Sequence, residues 1–142
     1  MVKKEIPFNR ILVVDDSEVD FFIVNTLLKR HKPGLSLYYA MDVESGINML
    51  KAFKPDETPD LILLDLNFDK QKMQGMDFLR ELTKLYPAVN TGPKVIVLSA
   101  YLGFNDSEAI TKDFLGVEII EKPFSVEKLV ACISYTFSGQ IV

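Results

Sequence analysis

The sequence predicts an α/β domain: a doubly wound, five-stranded parallel sheet of order 2-1-3-4-5 with five helices. Three observations lead there. Short apolar runs rich in Val, Ile and Leu recur at residues 11–14, 35–40, 61–64, 95–98 and 117–120, as expected for strands buried on both faces. Segments of helical period lie between them. The strand ends, Asp15, Ala40, Asp65, Ser99 and Glu121, are separated by 25, 25, 34 and 22 residues, which is room for a helix and two short loops each time.

The helices follow in order. Ser17, with Asp20 three residues on, makes a capping-box-like start to a first helix carrying Phe22, Ile23, Thr26, Leu27 and Arg30. Asp42 caps a second, whose apolar positions are Val43, Gly46, Ile47 and Leu50. A third carries Phe78, Leu79, Leu82 and Leu85 and stops before Pro87. The fourth is expected over 106–114, closed by Gly116. The last starts at Ser125 and places Val126, Leu129, Val130, Ile133 and Phe137 on one stripe.

Composition narrows the function classes. A length of 142 residues implies one domain over 9–138 with short tails at 1–8 and 139–142. One Cys and one His rule out an internal disulfide and are too few for a zinc or iron–sulfur centre, which fits a reducing cytoplasm. The net charge of -4 argues against a primary role on nucleic acid or anionic membrane. The N-terminus lacks the apolar stretch of a signal peptide, and no apolar run is long enough to span a bilayer.

A doubly wound sheet collects its carboxyl ends at one edge. Here those ends supply Asp15 and Asp16, Asp65, Ser99 and Lys122. Two carboxylates about 5 Å apart repel by roughly 3 kcal/mol at an effective dielectric of about 20, so three of them call for a cation or protons. The donors are hard oxygens, which select Mg²⁺ or Mn²⁺. Each acidic residue taken singly also fits ordinary turn or capping chemistry; their joint occurrence at several strand ends does not.

Five segments, Ile11-Leu-Val-Val-Asp-Asp-Ser17, Leu61-Ile-Leu-Leu-Asp-Leu-Asn67, Gly75-Met-Asp-Phe-Leu79, Val95-Ile-Val-Leu-Ser-Ala100 and Lys122-Pro-Phe124, resemble the receiver domain of two-component response regulators. The resemblance implies a flavodoxin-like fold and a stand-alone signalling protein that catalyses only its own phosphorylation and dephosphorylation. It implies that Asp65 accepts a phosphoryl group from a sensor histidine kinase or a histidine phosphotransfer protein. Asp15, Asp16 and Asp65 would hold Mg²⁺ with the backbone carbonyl of Asn67. Ser99 matches the switch hydroxyl and Lys122 the phosphate-contacting lysine. A downstream protein would bind the face of the fourth helix, fifth strand and fifth helix.

The sequence departs from that pattern in three places. Ile119 stands where the family has an aromatic. Residues 68–74, read as a loop, lack proline and delay Gly75 by two positions, with Asp69, Lys70 and Lys72 as candidates for altered recognition or an added carboxylate. Tyr101, two residues after Ser99, is placed to restrict hydrolytic water. His31 is expected to be exposed at a helix end, and Cys132 to pack in the core. Three other functions compete. A flavin carrier would need a phosphate cradle where Asp15-Asp16-Ser17-Glu18 stands. A haloacid-dehalogenase-type phosphatase would need an aspartate where Asn67 stands. The last is a degenerate, phosphorylation-independent docking module.

Overall fold

The computed structural model describes residues 8–65, 68–87, 92–99, 114, 117–121 and 125–138. The strands are β1 (Arg10–Asp15), β2 (Ser36–Ala40), β3 (Leu61–Asp65), β4 (Lys94–Ser99) and β5 (Val117–Glu121). The helices are α1 (Glu18–His31), α2 (Val43–Ala52), α3 (Phe68–Leu85) and α4 (Val126–Ser138), with a short 3₁₀ turn at Pro55–Glu57. All strand pairs are parallel, and their order is β2-β1-β3-β4-β5. The predicted fourth helix lies outside the described residues except for Phe114, which packs against the core. Among the described residues no helix is long and apolar enough to cross a membrane.

Alternation along the strands builds two cores. Leu12, Val14, Ile62, Leu64, Val95 and Val97 face α2 and α3, where Ile47, Leu50, Phe78, Leu79 and Leu82 meet them. Ile11, Val13, Leu61, Leu63, Ile96 and Leu98 face α1 and α4, meeting Val24, Leu28, Leu129, Val130 and Ile133. Every residue of β3 is buried, which is why its sequence reads as a continuous apolar run ending in an acid. Truncating a buried ring such as Phe78 to alanine would cost about 3–5 kcal/mol. Gly46 lets α2 approach the sheet, because a Cβ there would stand 3.1 Å from Val14 Cγ2 and 3.3 Å from Phe78 Cε2.

The caps form as expected. Ser17 Oγ accepts from the Asp20 N–H at 3.2 Å, and Asp42 Oδ1 accepts from the Ser45 N–H at 2.7 Å. That contact holds the Asp42 carboxyl below the usual aspartate range.

The structure revises three expectations. Residues 68–74 form the first turns of α3 and are no loop, since Phe-Asp-Lys-Gln-Lys-Met-Gln contains neither proline nor glycine to oppose a helix. On α1 the core side is Val24 and Leu28, with Phe21 packed beside them; Phe22 and Ile23 are exposed. Positions 21, 24 and 28 form the stripe that meets the sheet, which turns 22 and 23 outward. His31 closes α1 but is half-buried, not exposed. Cys132 packs against the second core as expected, and Ile119 packs against the first.

Candidate functional site

The register of the sheet sets the site. Asp15 pairs with Asp65 across β1 and β3, Asp65 with Leu98 across β3 and β4, and Ser99 with Glu121 across β4 and β5. The ends of four neighbouring strands therefore stand level at one edge. Asp15 and Asp65 are 1% and 6% exposed, the only charged side chains buried to that degree among the described residues. Both share parity with Ile11, Val13, Leu61 and Leu63, so they belong to the face covered by α1.

From that helix Asp20 joins them. One carboxylate oxygen each from Asp15, Asp20 and Asp65 lies within 4.8 Å of the others. Asp20 was not foreseen as a site residue, because its spacing from Ser17 reads as a reciprocal cap. In such a box the acid would accept the N–H of the capping serine. That N–H instead goes to Asp15 Oδ1 at 2.9 Å, so Asp15 takes the place Asp20 would fill. The available signal is strand parity, which puts Asp15 and Asp65 on the same face of the sheet; the structure adds that α1 covers it.

Asp16 is exposed and adjacent in sequence to this cluster, not one of the three. The side chain of Ser99, and all of Asn67, Tyr101 and Lys122, lie outside the described residues.

A second layer surrounds Asp15. Tyr39 Oη donates to its backbone carbonyl at 2.8 Å, and the Tyr39 ring stacks on Phe21 with centroids 4.4 Å apart. Burial raises the Tyr39 phenol above its ordinary range, and the carboxylates of Asp15, Glu18 and Asp16 push it the same way. The described site is thus a cluster of three carboxylates at the sheet edge. Its donors are hard carboxylate oxygens, which suit a small divalent cation such as Mg²⁺, and no imidazole or thiolate stands in the described cluster.

Comparison with known proteins decides the family. Residues 11–134 match the response regulator receiver domain model. The chain belongs to the response regulator receiver family. Over 135 residues, covering 95% of this chain, it is 33% identical to the aerobic respiration control sensor protein ArcB of Escherichia coli (strain K12). Over 114 residues, 80% of the chain, it is 27% identical to protein-glutamate methylesterase/protein-glutamine glutaminase 2 of Vibrio vulnificus (strain YJ016). The chain spans 16% and 30% of the lengths of these two relatives.

Solved structures share the fold. A CheY-like receiver domain protein from Methanospirillum hungatei JF-1 superposes with a TM-score of 0.74 at 23% identity, covering 93% of this chain and 95% of that one. A response regulator receiver protein from Dyadobacter fermentans DSM 18053 gives 0.71 at 24%, covering 90% and 97%. Receiver domains are signalling modules of two-component systems, and this chain is one of them.

Proposed function

We propose that residues 9–138 form a phospho-accepting receiver in which Asp65 takes a phosphoryl group from a phosphohistidine on a sensor kinase or histidine phosphotransfer protein. The observation that carries this is the place of Asp65: a buried carboxylate at the carboxyl end of the central strand, in register with Asp15 and clustered with Asp20. A carboxylate oxygen of Asp65 attacks phosphorus, the phosphorus–nitrogen bond breaks, and the donor imidazole leaves. The sheet edge orients the nucleophile, and the shared register fixes its distance to Asp15.

Asp15, Asp20 and Asp65 would hold Mg²⁺, with Asp16 and the Asn67 carbonyl as the further ligands the sequence suggests. When bound, the ion neutralises the carboxylates and supplies positive charge toward the transferring phosphoryl oxygens. Lys122 and Ser99 would contact the same oxygens. The resulting acyl phosphate adds about -1.5 to -2 charge at this edge and biases a pre-existing equilibrium between two conformations.

The phosphodonor would dock over the first two turns of α1. That rim exposes Val19, Phe22 and Ile23 by 68%, 67% and 49%, beside Asp20. A downstream protein would bind the face of the predicted fourth helix, β5 and α4. Exchange with a kinase of this class would take place in the cytoplasm.

Acetyl phosphate with Mg²⁺ tests the reading. One phosphoryl group labile to base and hydroxylamine is expected on Asp65, absent from Asp65→Asn and without added Mg²⁺. Full labelling of Asp65→Asn would sink the assignment. Wild-type protein that binds its partners without labelling would favour the docking module instead.

A further inference from the structure

We propose that Tyr39 is a positioning residue for the metal-binding turn: its phenol holds the Asp15 carbonyl and thereby sets where the Asp15 carboxylate stands against Asp65. The inference rests on the reading that this cluster binds Mg²⁺. The ladder between β1 and β2 ends at Val14 and Ala40. One residue further, Tyr39 Oη reaches the Asp15 carbonyl at 2.8 Å and continues the tie between the strands by a side chain.

Asp15 is then held at two atoms. Its carbonyl accepts from Tyr39, and its Oδ1 accepts from the Ser17 N–H at 2.9 Å. Both donors are neutral. That choice matters, because a lysine or arginine at position 39 would balance the carboxylates itself and compete with a cation. A neutral phenol resists their mutual repulsion without reducing the charge that attracts the ion.

Tyr39 is itself fixed. Its ring lies on Phe21 of α1, 4.4 Å between centroids with the planes 26° apart. Phe21 follows Asp20 directly, so one aromatic pair joins the strand end that bears Asp15 to the helix turn that bears Asp20. Tyr38, the neighbouring residue, points to the other side of the sheet and meets Phe53 edge-on at 5.0 Å. It supplies the control.

The experiment is calorimetric Mg²⁺ binding to the full chain, its Tyr39→Phe variant and its Tyr38→Phe variant, with metal-free melting measured in parallel. Tyr39→Phe keeps the ring stack and removes one hydroxyl. It should weaken Mg²⁺ binding about threefold to tenfold, as the loss of one well-placed hydrogen bond predicts. Its metal-free melting temperature should stay within a few degrees of wild type, and Tyr38→Phe should bind as wild type does. In acetyl phosphate labelling, Tyr39→Phe should need more Mg²⁺ for half-maximal rate yet reach the wild-type rate at saturation. Unchanged Mg²⁺ affinity in Tyr39→Phe overturns the proposal. So does an equal loss in Tyr38→Phe, or a loss matched by a large fall in metal-free melting. Wild-type protein that fails to bind Mg²⁺ removes the functional reading together with the inference.

Discussion

Strand β3 is flanked by two aspartates that face opposite fates. Asp60, just before its first residue, is bound into the backbone. Its Oδ2 accepts from the N–H groups of Asn9 and Arg10 at 3.0 and 3.1 Å, its own N–H donates to the Arg10 carbonyl, and its carbonyl accepts from Lys94. Asp65, at the other end, is brought within 4.8 Å of two further carboxylates. One residue meets donors, its carboxylate holding β1 and its backbone carbonyl holding β4. The other stands among like charges at the sheet edge, an arrangement that favours a bound cation. The contrast separates an acid kept for the fold from acids kept for chemistry.

Metal should reveal that contrast most strongly. At a hundredfold excess over its dissociation constant, Mg²⁺ should stabilise the wild-type chain by about 2.7 kcal/mol, and Asp15→Asn should lose most of that gain. Urea denaturation with and without Mg²⁺ measures it. At the opposite end of the sheet, Asp60→Ala should cost about 1–2 kcal/mol by leaving two backbone donors to water, with its Mg²⁺ response intact.

Asp20→Asn should have a smaller effect. It removes the outermost of the three clustered charges and should weaken Mg²⁺ binding about fivefold, roughly 1 kcal/mol, while scarcely altering metal-free stability. A calorimetric titration checks both parts. The smallest effect belongs to Asp42, another acid at the carboxyl edge but one occupied by capping. Its folded-state carboxyl is held below the ordinary value of 3.8 by the Ser45 N–H, so its charge stabilises above that value, and the gain fades as pH falls through the lower folded one. Asp42→Asn keeps the cap and removes the charge, so its deficit against wild type at neutral pH should vanish in strong acid.

Much of this was legible in the sequence because the sheet is buried on both sides. The unbroken apolar runs of β1 and β3 mark strands without recourse to alternation, and each ends in the acid that proves to be buried. Ser17 and Asp42 announced their helices through capping chemistry that the structure realises. Two features were hidden for physical reasons. Residues 68–74 read as a loop by comparison with the family pattern, although their own composition favours the helix they form. Asp20 read as half of a capping box, because sequence spacing cannot tell that Asp15 Oδ1 takes the N–H that the box requires.

The most direct test is metal-free stability of Asp65→Asn beside Asp60→Ala and wild type, by urea denaturation in EDTA at neutral pH. Relief of like-charge crowding should leave Asp65→Asn at least as stable as wild type, while Asp60→Ala falls below it. A loss of stability in Asp65→Asn as large as that in Asp60→Ala would contradict the account, because Asp65 would then be serving the fold as Asp60 does.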